Sequence, residues 1–264
     1  MVKLEIKNLK FSYNSKPTLD DCELKLKENE VLAIIGPNAS GKTTLLKCVN
    51  RILEPDQGSI YIREKNIQNL GKEEIAQEIG HVPQEEGGSF PSTVFNTVLM
   101  GRKPYINWKP SNKDIEIVSN ILEKLDLKNL AMRDINELSG GQKQKVVMAR
   151  ALAQEPEILL LDEPTSNLDL KHQIEVMEIV EEQTKNGVST ILAIHDLNLA
   201  SKYSDKIIML KNGKIHAAGE KEILTPENIE PVYEIKVDII EKNNHKVVLP
   251  KTKTKEQKET CTKI

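Results

Sequence analysis

Residues 36–44 read Gly-Pro-Asn-Ala-Ser-Gly-Lys-Thr-Thr, between the apolar run Val31–Ile35 and the helix-forming stretch 45–50. A polyphosphate is best held by several backbone N–H groups converging at a helix N-terminus, where the helix dipole adds partial positive charge. Gly36 and Gly41 let the backbone come close, Lys42 supplies a point charge to the β and γ phosphates, and the Thr43 hydroxyl can ligate Mg²⁺. Pro37, Asn38, Ala39, Ser40 and Thr44 complete the stretch expected to contact the nucleotide. Residues 158–163, Ile-Leu-Leu-Leu-Asp-Glu, add two carboxylates at the end of an apolar strand. Asp162 can hold the metal through water, and Glu163 can polarise an attacking water as general base. In Leu-Ser-Gly-Gly-Gln, residues 138–142, Ser139 is a good N-cap, Gly140 and Gly141 expose the first helical N–H groups, and Gln142 follows. This is a second anion site, and a single phosphate chain does not obviously need two. Taken singly, each motif has an ordinary reading as a glycine turn, an acidic strand end or a helix start. Together they specify phosphate chemistry.

The elements that must carry these residues are legible around them. Residues 31–35, 158–161 and 190–194 are nearly all apolar, as strands buried on both faces of a parallel sheet are. Helical spacing separates them: Leu170, Ile174, Met177 and Val180, or Ile115, Val118, Leu122 and Leu125. The alternation predicts an α/β fold with a parallel core. Leu4-Glu5-Ile6 and Leu24-Lys25-Leu26 alternate instead, predicting half-exposed antiparallel strands at one edge, with a turn in residues 12–17. From about Val82 to Pro156 strand signals vanish, which predicts a helical subdomain inserted in the sheet and entered through a flexible stretch, residues 85–91. Near the end a short helix is expected over Pro226–Tyr233, and a hairpin from residues 235–240 and 246–249. The expected organisation is a core of 1–82 and 157–220, a helical subdomain of 83–156, an extension of 221–250 and a basic, disordered tail of 251–264.

Composition narrows the function classes. The 264 residues carry 37 Lys and Arg against 40 Asp and Glu, a net charge of −3, so no basic surface argues for nucleic acid. Aromatics are 3%, too few for a base-stacking platform. Cys22, Cys48 and Cys261 are scattered and odd in number, which points to a reducing compartment and away from a disulfide or zinc framework. No apolar run approaches the roughly 18 residues of a membrane span.

The order of motifs resembles the nucleotide-binding subunit of ATP-binding cassette (ABC) transporters over roughly residues 1–220, a P-loop NTPase architecture. In that family the Leu-Ser-Gly-Gly-Gln motif contacts ATP held on the opposite subunit, which would explain two anion sites in one chain. The resemblance implies a head-to-tail homodimer sandwiching two ATP molecules with Mg²⁺. It also implies roles that the residues alone do not. Tyr13 is similar to the aromatic that stacks on adenine. Gln84 resembles the glutamine that meets Mg²⁺ and reports on the membrane partner, and Asp169 ends a loop that crosses the dimer interface. His195 resembles the histidine that hydrogen-bonds the γ-phosphate; unaided it reads as a strand-end histidine, and His81, His172, His216 and His245 keep ordinary readings. The chain departs from the usual pattern at Ala39, where glycine is common, and at Lys143-Gln144-Lys145, which replaces an arginine-rich trio.

Residues 93–105 and 232–240 are similar to importers of iron–siderophore complexes, haem and cobalamin. That resemblance implies two membrane permease subunits, an external binding protein, peripheral attachment to the cytoplasmic side of the membrane, and no nucleic acid. Phe90, Phe95, Met100 and Trp108 are candidate permease contacts, with internal packing equally open to Phe95 and Met100. A single-cassette non-transport ABC ATPase, for assembly or linked to nucleic acid, or an ABC transporter of another substrate class, is the alternative.

Overall fold

We describe a computed structural model over residues 1–84, 91–242 and 245–251. Two long strands, β1 (Val2–Tyr13) and β2 (Lys16–Lys27), precede β3 (Val31–Ile35), which runs through the phosphate-loop sequence into α1 (Lys42–Val49). After β4 (Gln57–Ile62), β5 (Lys65–Asn66) and α2 (Lys72–Glu78), the chain enters β6 (Ile79–Val82). Then come α3 (Val94–Leu99), α4 (Asn112–Lys124) and α5 (Gly140–Leu152), followed by β7 (Ile158–Asp162), α6 (Leu170–Lys185), β8 (Ser189–Ala193) and α7 (Leu197–Tyr203). β9 (Lys206–Lys211), β10 (Lys214–Gly219), α8 (Pro226–Tyr233), β11 (Val237–Lys242) and β12 (His245–Pro250) complete the order.

The larger sheet has the order β10-β9-β3-β8-β7-β6, parallel except for β10. Its strands read as apolar runs because both faces are covered. Leu32, Ile34, Leu160 and Ile191 face one core, shared with β1, β2 and α1, whereas Ala33, Leu159, Leu161 and Leu192 face another, shared with α5 to α8. β1 and β2 pair antiparallel as their alternation predicts. They belong, however, to a second sheet, β2-β1-β4-β5, rather than to the margin of the parallel one. Leu4, Ile6, Leu24 and Leu26 turn inward from it, while Glu5 on the outer face bridges Lys25 at 2.8 Å and Lys7 at 3.1 Å. In α6, Met177 and Val180 are buried as their spacing predicts, but Leu170 is 72% exposed because it opens the helix beside the preceding turn.

Between the neighbouring strands β6 and β7 the described residues hold helices, 3₁₀ turns and one isolated bridge, Thr93 to Asp134. Arg102 knots this segment together. It is 2% exposed, bonds Asp114 at 3.0 Å, Glu155 at 2.8 Å and the Ala153 carbonyl at 2.8 Å, and stacks 4.1 Å from the Tyr105 ring. At the other end, α8 spans the residues expected, and β11 pairs with β12. The hairpin docks on α7: the Asn198 side chain accepts from Val248 N at 2.8 Å, and Ser201 Oγ accepts from Lys246 N at 3.1 Å. Residues 85–90 and 252–264, and with them Phe90, Cys261 and most of the expected tail, lie outside the described residues.

Two expectations concern stability. Ala39 sits at φ 59°, the left-handed region that disfavours a Cβ, and its side chain is exposed. Ala39→Gly should therefore raise the unfolding free energy by roughly 0.5–1 kcal/mol, the relief of strain less the entropy of glycine, read from guanidinium melts. The Asp114 carboxyl is held down to about 2, chiefly by the Ser111 hydroxyl and N–H and then by Arg102. Because the folded value lies below the unfolded one of about 3.9, this contribution is complete above pH ~4 and lost as pH falls through about 2. Asp114→Asn should flatten the pH dependence of denaturation midpoints across that window; an unchanged slope would count against the assignment.

Candidate nucleotide site

The parallel register brings the carboxyl ends of β6, β3, β7 and β8 to one edge, and a predicted site residue stands at the end of each or within two residues of it. β3 turns at Gly36, where an added Cβ would lie 2.2 Å from the Leu210 carbonyl oxygen. The loop passes half-buried Pro37 and exposed Asn38 and Ala39 to buried Ser40, and Gly41 at φ 110° caps α1. From behind, Gly213 N donates to the Ser40 carbonyl at 2.9 Å. Ser40 Oγ is buried with no hydrogen-bond partner among the described residues, and Thr44 is buried in the first turn of α1. Lys42, 4% exposed, folds its ammonium over the loop, donating to the carbonyls of Gly36 at 3.0 Å and Pro37 at 3.3 Å. Burial lowers its pKa, opposed by the charges of Glu163 and Asp162.

β7 delivers the two carboxylates. Asp162 is buried and accepts from the Thr43 hydroxyl at 3.1 Å. Burial raises its pKa in spite of that bond and of the charge on Lys42. Glu163 takes φ 51°, a strained value for its type, and is fixed on both sides. Its N–H donates to the Ala193 carbonyl at 2.9 Å, and its own carbonyl accepts from Ser166 N at 3.1 Å and Ser166 Oγ at 2.9 Å. The side chain, 11% exposed, meets three others: Gln84 Nε2 donates to it at 2.7 Å, His195 Nε2 contacts Oε1, and Lys42 Nζ lies at 3.8 Å. His195 Nδ1 is 3.4 Å from the Lys42 ammonium. An ammonium can only donate, so this arrangement suits the neutral imidazole with its hydrogen on Nε2, directed at Glu163.

These residues can hold an anion against loop N–H groups and an ammonium, with a fixed carboxylate beside it. They also fit Mg²⁺. Thr43 Oγ1 and Asp162 Oδ1 are paired hard oxygen donors, and among the described residues no three His, Cys, Asp or Glu side chains form a complete cage. That suits an ion that keeps its waters and shares substrate phosphates.

The remaining predicted residues lie apart from this knot. Ser139 caps α5 and forms a reciprocal box with Gln142, Oγ accepting from Gln142 N at 3.3 Å and Gln142 Oε1 from Ser139 N at 3.0 Å. Gly140 is exposed and Gly141 buried. Asp169 caps α6 and bonds His172. Tyr13 is 44% exposed, with its ring edge-to-face on Phe11 at 4.8 Å. Among the described residues no hydrogen bond or ion pair joins Tyr13, Asp169 or residues 139–142 to the Lys42–Glu163 cluster. Of the four candidate permease contacts, Met100 and Trp108 are 59% and 95% exposed, whereas Phe95 packs against the core. Sequence reasoning missed the β9–β10 turn that braces the loop. Its signal was present: Asn212-Gly213 between apolar strands, both at positive φ.

Comparison with known proteins identifies the family. The family model described as ABC transporter matches residues 19–166. An uncharacterized ABC transporter ATP-binding protein of Methanocaldococcus jannaschii is 49% identical, over 94% of this chain and 97% of its own. A probable iron chelatin transport ATP-binding protein of Helicobacter pylori is 39% identical over 93% and 98%. Among solved structures, a metal-chelate type ABC transporter in an inward-facing conformation superposes with a TM-score of 0.83 at 31% identity, over 95% of this chain and 98% of that one. A dimeric post-hydrolysis ATP-binding cassette bound to ADP and Pi does so with a TM-score of 0.74 at 28% identity, over 82% and 98%. Phosphate loop, strand-end carboxylates and relatives agree: the chain belongs to the ABC transporter family as an ATP-binding, ATP-hydrolysing subunit.

Proposed function

We propose that this chain energises an importer of the iron–siderophore, haem or cobalamin class, working as a homodimer on the cytoplasmic face of two permease subunits served by an external binding protein. The observation that carries the enzymatic half is the convergence of Gln84, His195 and Lys42 on the Glu163 carboxylate beside Thr43 and Asp162. ATP enters with its phosphates over residues 36–44, where the loop amides and Lys42 bind the β and γ groups, and Tyr13 stacks on the base. Lys42 then exchanges its loop carbonyls for phosphate oxygens, a stronger charge-assisted partner. Thr43, Gln84 and Asp162 would hold Mg²⁺, which would supply charge neutralisation when bound. Glu163, freed from His195 as the imidazole turns its Nε2–H to the γ-phosphate, takes a proton from the attacking water.

The second half of each site comes from the partner. Ser139 and the backbone of residues 140–142 present a capped helix N-terminus, and Asp169 the adjoining turn, to ATP on the facing subunit. A γ-phosphate gripped by both halves favours the closed dimer, and its release removes that differential affinity. The dimeric relative with ADP and Pi supports this reading.

For the permease, the surface offered is a groove of about 280 Å³ whose lining includes Ile52, Lys72, Ile75, His81, Met100 and Arg150. It lies between the end of α1, α2 and the segment that Arg102 anchors, and β6 connects it to Gln84 three residues after His81. Ile52 and Met100 present apolar surface there, and burial holds the His81 imidazole down to about 4, hence neutral. A permease helix seated in this groove would sense the γ-phosphate through β6. The similarity to an iron chelatin transport protein and a metal-chelate type transporter supports the cargo class.

Glu163→Gln should keep ATP affinity and lower turnover by roughly 10²–10⁴-fold, judged by nucleotide binding and phosphate release; turnover close to wild type would remove Glu163 from the role of base. Met100→Glu should leave the isolated chain's ATPase rate unchanged yet abolish co-purification with the permease. Retained co-purification would move the contact elsewhere, and the absence of any polytopic partner with the wild-type chain would favour the single-cassette alternative.

A further inference from the structure

His172 has no assigned part in the chemistry, yet it touches both elements that a subunit offers to its partner. Its ring lies against the α-carbon of Gly141: a Cβ built there would fall 2.1 Å from Cδ2, 2.4 Å from Cγ and 2.6 Å from Nε2. On its other side, Nδ1 is 2.6 Å from Asp169 Oδ1, an oxygen that also accepts from His172 N at 2.9 Å. The carboxylate therefore holds the ring by Nδ1–H and leaves its Cδ2 side against Gly141 at the start of α5. The turn before α6 is itself fastened to α6, since Gln173 Nε2 donates to the carbonyls of Thr165 at 3.3 Å and Leu168 at 3.1 Å. One turn further on, Lys145 of α5 meets Glu175 of α6 at 2.9 Å. Gly141 is buried under this contact while Ser139 and Gly140 remain exposed.

We propose that His172 is a positioning residue that locks the Asp169 turn to the Ser139–Gly141 helix start, so that both reach the partner's nucleotide as one rigid surface. The inference rests on the shared-site reading above, because it assigns these elements to ATP on the facing subunit. A lock of this kind acts only when two subunits close. Removing it loosens the half-site contributed in trans and leaves the phosphate loop, on other strands, unaffected. It also gives Gly141 a reason to lack a side chain that is independent of any ligand.

The test uses the full chain in the Glu163→Gln background, with Mg·ATP and light scattering to follow dimerisation. Adding His172→Ala should raise the ATP concentration for half-maximal dimer about tenfold, while binding of a fluorescent ATP analogue to the monomer stays within twofold. His172→Asn, which keeps a donor to Asp169, should fall between the two. In the otherwise wild-type chain, His172→Ala should lower kcat more than it changes KM. Unchanged dimerisation in His172→Ala would overturn the proposal, and so would a parallel loss of monomer nucleotide binding, the mark of a merely structural residue. Failure of Glu163→Gln itself to dimerise, with His172 intact, would instead overturn the shared-site reading, and the proposal would fall with it.

Discussion

Parallel registration of β6, β7, β8 and β3 is the constraint on which the site depends. Val82 pairs with Leu161, Asp162 with Ala193, and Ile34 with Ala193, so the four strands stop nearly level. Whatever follows each strand is then delivered to one edge: Gln84 after β6, Glu163 after β7, His195 after β8 and the phosphate loop after β3. Antiparallel pairing would send alternate strand ends to opposite sides of the molecule. The burial of both sheet faces, which makes these strands apolar throughout, thus also determines which polar residues can meet. Slipping one strand by a residue would turn its inward side chains to the opposite core and carry its terminal carboxylate or imidazole out of reach.

At that edge the electrostatics are balanced rather than neutral. Burial lowers the pKa of Lys42 against the support of two carboxylates, and the same burial raises that of Asp162 against the restraint of Thr43. Glu163 sits on a strained backbone fixed by Ala193 and Ser166, with its carboxylate shared among an amide, an imidazole and an ammonium. Lys42 also donates to the carbonyls of Gly36 and Pro37, and His195 Nδ1 meets the Lys42 ammonium, so an entering triphosphate can redistribute these bonds without opening the backbone beneath them. Preorganisation of this sort costs little at the moment of reaction.

Much of this was legible in residue order, for identifiable reasons. Runs such as 158–161 and 190–194 have a single economical solution, a strand covered on both faces, and Ser139 followed by two glycines and a glutamine encodes a helix start. The separate sheet formed by β1 and β2 was not legible, because alternation specifies a half-exposed strand without naming its neighbours. Leu170 read as core because its spacing matches Ile174 and Met177, yet helical spacing says nothing about where a neighbouring turn lifts away. The knot around Glu163 joins residues from β6, β7, β8 and α1 through side-chain geometry that no local pattern carries. His172 read as an ordinary helical histidine, since its partner Gly141 is remote in sequence and has no side chain to advertise the contact.

The docking of β12 on α7 bears on where this ATPase can be cut. α7 begins immediately after His195, with Asp196 capping it, and its outer surface is fastened to the C-terminal hairpin by Asn198 and Ser201. A fragment trimmed just beyond β10 would retain every motif by which such cassettes are recognised, yet strip the hydrogen-bonding partners from the helix that aims the imidazole. Its sequence would look complete, and the position of His195 would be unsupported.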